Sequence, residues 1–382
     1  MFLAWRDMFF ARTRFLLMGL VLGLMSILVV IISGLTAGLV NDGVSGLKAM
    51  DADVIAFQDG TQTDSAFTRS VVDVSAADEL LAIDDVETAT PMGLTLVNAR
   101  NQDAVAVDLT LVGLEPDSFL APEGLPAMSA QRVAGEPTPT AHDIIVSATL
   151  EDAGIALGDT ITIDRLETEL NVIGFTEDQR TFGHVALAYL PLDVWQEVHA
   201  GARAGEAAPA TAYGEASVIV AQTSGSADTE ALTADSGLDV RTLEESFASS
   251  PGYTAETMTL SMIEWFLYII TALVTGAFFL VWTIQRSGDI AVMRAMGATK
   301  GYLLRDSLGQ AVIILAASIT AGVLLAVGLG LWLESTAMPY ATEVVPILGG
   351  AALLFAAGLI GAVIAVFRVT RTDPLTALGE NR

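Results

Sequence analysis

The sequence contains no cysteine and is poor in charge and histidine. Among its 382 residues are three histidines, and 16% of the residues are charged, against roughly 25% in a soluble domain. Without cysteine there can be no disulfide scaffold, thiolate metal site, cysteine nucleophile or covalently attached c-type haem. Apolar residues make up 52% of the chain and its mean hydropathy is +0.56. This composition predicts a membrane protein.

Four long runs carry no charged residue. They cover residues 15–41, 265–285, 307–333 and 344–367. A helix needs about 20 apolar residues to cross the hydrocarbon core of a bilayer, so each run predicts a transmembrane helix. The first run could also be a cleaved signal sequence. Its apolar stretch is about twice the usual length for a signal sequence, so we expect a retained helix.

The charges between the runs are distributed unevenly. Residues 42–257, which we call the interposed domain, hold 37 acidic and 8 basic residues, a net charge of −29. The two termini and the loop after the second run together hold 10 basic and five acidic residues. Because cytoplasmic segments are enriched in Lys and Arg, we expect both termini in the cytoplasm and the interposed domain outside. A net charge of −27 also argues against general nucleic-acid binding.

These boundaries predict nine segments. They are an amphipathic N-terminal segment (1–14), transmembrane helix 1 (15–41), an extracytoplasmic domain (42–257), transmembrane helix 2 (258–285), a cytoplasmic coupling-helix loop (286–306), transmembrane helix 3 (307–333), a short outer loop (334–343), transmembrane helix 4 (344–367) and a cytoplasmic tail (368–382). The N-terminal segment, where apolar and charged residues interleave, could instead begin a longer first helix.

The interposed domain shows the pattern of a mixed α+β fold. Strand-like runs of apolar and β-branched residues occur at 52–57, 105–112, 143–147, 160–163, 170–175, 185–190 and 217–221. Short helices opened by Ser, Thr or Asp are predicted at 75–81, 149–153 and 192–199. The acidic surface suits solvation, and cation attraction is the alternative. The fold class is therefore a four-helix membrane protein with a large extracytoplasmic α+β domain between helices 1 and 2.

The sequence carries none of the common catalytic signatures. It has no GxxxxGK[ST], HExxH, GxSxG or CxxC motif. His142, His184 and His199 lie far apart in the interposed domain, which favours surface or packing roles over metal ligation. We expect no enzyme activity, no catalytic residue and no resident metal or cofactor, so that any energy must come from a partner or a gradient.

Two glycine pairs in the first run indicate close helix contact. Gly19-x-x-x-Gly23 and Gly34-x-x-x-Gly38 present small faces, and such faces let transmembrane helices approach closely. Four helices form few walls for a pore, so we expect self-association, with these glycines at the interface of a homodimer.

The loop after the second run predicts a short helix at the cytoplasmic face. Asp289 or the nearby Ser287 can cap it, and Gly297 can end it. Its apolar face consists of Ile290, Met293 and Met296. Such a helix can dock into a groove of a partner or lie against the bilayer.

This loop and the tail resemble a known family. The loop reads Arg286-x-x-Asp289-Ile290-x-x-x-Arg294-Ala295-x-Gly297-Ala298, similar to the R-x-x-E-I-x-x-x-R-A-x-G-A signature of FtsX-like ABC permeases of the MacB, LolC/LolE and DevC type. The tail reads Arg368-x-x-Arg371-x-Asp373-Pro374-Leu375-x-Ala377-Leu378, similar to the family's P-x-x-A-L element. The signature glutamate is Asp289 here, which keeps the charge on a shorter side chain.

The resemblance implies a permease homodimer bound to two cytoplasmic ATPase subunits in the membrane. The coupling helix would dock the ATPase through Arg286, Asp289, Ile290, Met293, Arg294 and Gly297. ATP would be bound and hydrolysed on the partner subunit. The chain's length and modest interposed domain are most similar to DevC-type and haem-exporting HrtB permeases, which suggests haem as the transported substrate.

A haem exporter needs a slot open to the outer leaflet and weak iron ligands. Glu264 lies at the predicted outer edge of helix 2, one turn from Tyr268 and near Met258 and Met262. Carboxylate, phenol and thioether groups can all ligate or hydrogen-bond near haem iron, so these four residues form the candidate substrate site. The alternative is a carboxylate that reaches the headgroups beside the interface residue Trp265.

Three functions remain open on the sequence alone. The first is ATP-driven export of an amphipathic compound, best represented by haem, from the outer leaflet. The second is an FtsX-like mechanical subunit that regulates a cell-wall hydrolase and transports nothing. The third is lipoprotein extraction.

Overall fold

The computed structural model describes residues 12–128, 138–225, 228–285, 296–297, 299–336 and 338–370. The chain divides into two compact units. One, the membrane unit, comprises Met1–Leu39 and Thr257–Arg382, and the other, Val40–Glu256, is the interposed domain.

The described helices and strands follow one another in a simple order. The helices are α1 Arg12–Lys48, α2 Ala66–Arg69, α3 Ala76–Leu81, α4 Ala148–Asp152, α5 Leu192–His199, α6 Thr229–Ser236, α7 Leu243–Ser246, α8 Tyr253–Gln285, α9 Lys300–Glu334 and α10 Val344–Thr370. The strands are β1 Val54–Phe57, β2 Val72–Asp73, β3 Val86–Arg100, β4 Ala106–Leu114, β5 Ala141–Val146, β6 Thr160–Ile163, β7 Glu169–Phe175, β8 Thr181–Phe182, β9 Val185–Pro191, β10 Glu215–Ala216, β11 Val218–Thr223 and β12 Asp239–Thr242. Short 3₁₀ helices cover Ala210–Gly214 and Phe247–Ser249.

Four of the described helices are long and apolar enough to cross a membrane: α1, α8, α9 and α10. The predicted architecture of four membrane helices, with a mixed α+β domain between the first and the rest, is confirmed. The helices extend past the uncharged runs, since α1 continues to Lys48 across a kink at Val44, α8 begins at Tyr253 and α9 begins at Lys300. Absence of charge marks the hydrocarbon-facing stretch, whereas backbone hydrogen bonding continues beyond it.

The core of the membrane unit draws on all four helices. Fully buried side chains include Leu22 of α1, Phe279 of α8, Leu315 of α9 and Leu354 of α10. Helices α8 and α10 cross closely at two glycines, where a methyl group on Gly276 would lie 3.1 Å from the carbonyl oxygen of Gly361. Small residues thus permit the close helix packing on which membrane bundles depend.

The interposed domain is built on a ten-stranded sheet. Its strand order is β12-β1-β11-β3-β4-β9-β5-β7-β6, and β8 pairs with β9. The last strand in this order, β6, also pairs with the end of β3, so six strands close into a ring. The long strand β3 therefore belongs both to that ring and to the extension β11-β1-β12.

All seven predicted strand runs and all three predicted short helices have counterparts in the domain. The prediction missed β3, its longest strand. Polar residues, Pro91 and Gly93 interrupt any apolar alternation there. The strand is stabilised by β4, the next strand along the chain, and by β11, which is distant in sequence, so its local pattern is weak.

Two paired glycines make room for a buried tryptophan. Gly93 of β3 lies opposite Gly113 of β4 in the sheet, and Trp195 of α5, which is 1% exposed, packs over both. Added methyl groups at either glycine would overlap the Trp195 side chain. This glycine pair therefore fixes how α5 packs on the sheet.

Gly113→Ala is expected to destabilise the interposed domain by about 1–3 kcal/mol, the usual cost of overpacking a core. The measurement is the urea unfolding curve of the full chain in detergent, with circular dichroism as the readout. Gly214→Ala is the matched control, because a methyl group there has no neighbour within 4 Å. Equal urea midpoints for the two variants would contradict this packing.

Candidate functional site

The first turns of α8 present an exposed apolar face. Met258, Met262 and Trp265 recur at intervals of four and three residues and are 68%, 56% and 62% exposed. Together with Thr257 and Ser261 they line a shallow surface depression. The two predicted methionines therefore lie on the outside of the membrane unit as seen in one chain.

Glu264 and Tyr268 lie on a different face of α8. The Ser33 hydroxyl of α1 donates a hydrogen bond of 3.1 Å to Glu264 Oε1, and Tyr268 is only 7% exposed. A methyl group on Gly350 of α10 would lie 3.6 Å from both Ser33 Oγ and the Tyr268 hydroxyl. A polar cluster of Ser33, Glu264 and Tyr268 thus forms where α1, α8 and α10 meet.

Helix periodicity explains this separation. At 3.6 residues per turn, positions 264 and 268 lie roughly 120° around the helix axis from positions 258 and 262. Trp265 connects the two faces, because its ring packs edge-on to Tyr268 with centroids 5.9 Å apart. Within one chain the structure pairs Glu264 with Tyr268, and Met258 with Met262, but does not gather all four around one point.

The predicted interface glycines pack against the chain's own residues. A methyl group on Gly19 would lie 3.0 Å from Ser318 Oγ, and one on Gly23 would lie 3.5 Å from the Ser318 carbonyl oxygen. Gly34 and Gly38 lie directly against Tyr340 and its neighbour Pro339, respectively. The spacing does mark close contacts of α1, and these contacts are made within the chain; a homodimer interface at these glycines stays a prediction.

A buried amide network joins α8 to α9 near their loop-side ends. The indole N–H of Trp282 donates to Gln310 Oε1 over 3.2 Å, and Gln310 Nε2 donates to Asp306 Oδ2 over 3.3 Å. Gln310 has no exposed surface. Sequence reasoning missed this network, although a lone amide inside an uncharged run was a signal for it.

Most of the predicted coupling segment lies outside the described residues. This applies to Arg286, Asp289, Ile290, Met293 and Arg294, to residues 1–11 of the predicted N-terminal segment 1–14, and to residues 371–382 of the predicted tail 368–382. Gly297 is described, with a φ of +100°, a left-handed backbone that suits a residue after a helix end. Thr299 then caps α9, because its side chain accepts from the Tyr302 N–H.

A second polar cluster lies in the interposed domain, at the hairpin turn between β8 and β9. Gly183 and His184 form this two-residue turn and have φ values of +57° and +65°, as tight hairpins require. His184 Nδ1 lies 2.9 Å from Asp42 Oδ2, and Nε2 lies 3.1 Å from Glu256 Oε2. One imidazole thus bridges two carboxylates that are distant in sequence.

The segment 179–184, which we call the strap, contacts the end of α1 repeatedly. Gln179 and His184 both bind Asp42, and the Thr181 N–H donates to Ser45 Oγ over 2.8 Å. The Gly183 N–H donates to the Gly43 carbonyl over 2.9 Å, and Arg180 donates to the Ala49 carbonyl over 3.2 Å. The strap therefore fixes this part of α1 to the sheet.

The stability that His184 contributes to the strap should decrease as pH rises. Burial lowers the pKa of His184, but hydrogen bonds and charge from Asp42 and Glu256 outweigh burial and raise its pKa above 6.5. A raised folded-state pKa contributes stability that is complete below the unfolded value and is lost as pH rises through the folded value. We therefore expect the urea midpoint of the interposed domain to fall from slightly acidic to alkaline pH.

His184→Asn tests this expectation, because asparagine tolerates the left-handed backbone but does not titrate. The variant should lose the part of the pH dependence that lies above pH 6.5. An unchanged slope in the variant would show that the bridge to Asp42 and Glu256 is not responsible.

The other histidines differ in their surroundings. The His199 ring stacks on Trp195 with centroids 4.6 Å apart, and burial lowers its pKa. His142 lies in β5. In the described ranges, no group of three or more His, Cys, Asp or Glu residues could hold a metal ion.

The fold and the clusters define a multi-pass membrane protein with a folded domain between its first two membrane helices. Residues 261–374 match the model of the FtsX-like permease C-terminal family. The chain thus carries an FtsX-like permease domain at residues 261–374.

Curated relatives match nearly the whole chain. It is 26% identical to the "Putative hemin transport system permease protein HrtB" of Staphylococcus haemolyticus (strain JCSC1435), covering 99% of both proteins. It is 23% identical to a protein of the same name from Staphylococcus epidermidis (strain ATCC 35984), again covering 99% of both. The solved periplasmic region of MacB from Actinobacillus actinomycetemcomitans is 17% identical, covering 51% of this chain and 89% of that chain, with a TM-score of 0.31.

Proposed function

We propose that the chain exports haem from the outer leaflet of the cell membrane, using ATP hydrolysed by a separate cytoplasmic ATPase. Full-length similarity to relatives named as hemin transport permeases supports this substrate. The observation that carries the proposal is the Ser33–Glu264–Tyr268 cluster. It places a carboxylate and a phenol among three membrane helices, where an ionisable group is costly and therefore marks function.

In this proposal haem is the substrate and nothing is bound permanently. Glu264 and Tyr268 offer oxygen atoms to haem, while Met258 and Met262 offer thioethers from the neighbouring face of α8. Two copies of the permease bring these faces to one site. In this proposal the contact between copies includes Gly19, Gly23, Gly34 and Gly38 of α1, which also pack within the chain.

The proposed energy coupling follows the sequence signature. Both termini and the loop 286–306 lie in the cytoplasm, and the interposed domain lies outside. Arg286, Asp289, Ile290, Met293, Arg294 and Gly297 dock one of two ATPase subunits. ATP binding closes the ATPases, and the membrane helices transmit that movement.

A mechanical signalling role is the second candidate, and the strap supports it. Five of the six strap residues hydrogen-bond to positions 42–49 of the chain, and His184 also binds Glu256 at the start of α8. Both α1 and α8 continue into the membrane unit. In this second candidate function, the strap's hydrogen bonds transmit movement of these helices to the sheet of the interposed domain. Regulation of an external hydrolase requires such transmission.

Haemin titration of the full chain in lipid nanodiscs tests the proposal. We expect a saturable, shifted Soret band with a stoichiometry fixed by the number of chains. Nanodiscs without protein control for partitioning into lipid. Non-saturable uptake that matches these empty nanodiscs would overturn the haem proposal and favour the mechanical role.

A further inference from the structure

A cavity of about 480 Å³ lies in the interposed domain, beside the residues that follow α1. Its floor is a row across three neighbouring strands, in which Tyr189 pairs with Val112 on one side and Ile145 on the other. Phe119 and Leu120, in the loop after β4, form another wall. The size falls in the range of small-molecule sites, and the lining combines these apolar side chains with polar and charged groups.

Arg180 is the cation that lines this cavity, and one of its N–H groups makes no hydrogen bond. This group is Nε, which is buried. The guanidinium instead donates through Nη1 to the Ala49 carbonyl and lies beside the Tyr189 hydroxyl. In the described part of the chain it forms no ion pair, although the domain contains 37 acidic residues. A buried N–H without a partner is costly, and an acceptor bound at Arg180 would reduce that cost.

We infer that this cavity binds an amphipathic carboxylate, with the carboxylate at Arg180 and the apolar body over Tyr189. Carboxylate is the acceptor that best matches a guanidinium. Asp51, Glu123 and Glu177 also line the cavity and are exposed, and their charges disfavour polyanions. Burial raises the pKa of Tyr189 to about 12, so its phenol stays neutral and can donate a hydrogen bond.

The position of Arg180 gives the site a regulatory consequence. It belongs to the strap and holds the Ala49 carbonyl directly after α1. A carboxylate drawn to Arg180 competes with that contact, so occupancy of the cavity changes how the strap holds α1. The inference goes beyond haem export and does not depend on it, since a fatty acid and a haem propionate offer the same chemistry.

The experiment uses the full chain in nanodiscs of zwitterionic lipid. A fluorescent long-chain fatty acid is titrated first, and haemin is then added as competitor. We expect saturable binding of the fatty acid. Arg180→Gln and Ala121→Trp, which fills the cavity from its wall, should each weaken it about tenfold or more. Arg203→Gln is the matched control, because Arg203 is an exposed arginine lining a different cavity of the same domain, and should leave the affinity unchanged.

The outcomes separate the sources of the carboxylate. Displacement of the fatty acid by haemin assigns the cavity to both ligands, and no displacement assigns it to fatty acids alone. Absence of saturable binding, or equal affinity in the wild type, Arg180→Gln and Ala121→Trp, would overturn the inference. Haemin binding lost in Glu264→Gln but kept in Arg180→Gln would leave haem export standing without this site. If Ala121→Trp shifts the urea midpoint, that variant is destabilised, and the affinity of Arg180→Gln alone tests the inference.

Discussion

Glu264→Gln is expected to weaken haemin binding by about tenfold or more, the usual worth of a charge-assisted interaction. The variant keeps the size of the side chain and can still accept from Ser33, so the bundle should remain folded. It removes the negative charge that haem iron would meet. The measurement is the Soret titration in nanodiscs, with the dissociation constant as readout.

Two further variants show whether the carboxylate itself is responsible. Glu343→Gln makes the same change at an exposed position just before α10, and its affinity should equal that of the wild type. Ser33→Ala removes the hydrogen bond to Glu264 and should cost less than the loss of the charge. Equal affinity of Glu264→Gln and the wild type would remove Glu264 from the haem site.

Asp289→Arg is expected to uncouple the permease from its ATPase. The resemblance places Asp289 in the docking helix, and loss of one partner of a buried interfacial charge pair costs about 2–5 kcal/mol, roughly 30-fold or more in affinity. Haemin binding should be unchanged, because the substituted loop lies at the other end of α8 from Glu264. The measurements are copurification of the ATPase and haemin-stimulated ATP hydrolysis.

Glu380→Arg provides the control for net charge. Glu380→Arg makes the same charge change in the tail, which we also expect in the cytoplasm. Glu380 itself lies outside both signature elements. ATPase binding that is equally reduced in both variants would indicate a general electrostatic effect. Full ATPase binding in Asp289→Arg would contradict the docking role.

The membrane architecture was predictable because lipid imposes a simple rule. Uncharged runs of more than 20 residues have few alternatives to spanning helices. The interposed domain was harder. The strand 185–190 and helix 192–199 have strong local patterns, whereas β3 depends on pairing with β4, β11 and β6. Two of these partners, β11 and β6, are distant in sequence and leave little local signal in β3 itself.

The candidate sites were predictable only where their parts share one helix. Glu264 and Tyr268 are four residues apart, and the sequence predicts their proximity. Ser33 is 231 residues away from Glu264, and its contact depends on the packing of two helices. His184 was expected to be a surface or packing residue because the three histidines lie far apart in sequence. Its partners Asp42 and Glu256 are 142 and 72 residues distant, so no local pattern indicates them.

The most direct test of haem export is the transfer of haem from the membrane to an acceptor. The permease and its ATPase are reconstituted in vesicles that hold haemin in the membrane and ATP inside, and apomyoglobin outside captures released haem. We predict that ATP raises the transfer rate about tenfold or more, and that Asp289→Arg abolishes the increase. Equal rates with and without ATP in the wild-type complex would contradict haem export.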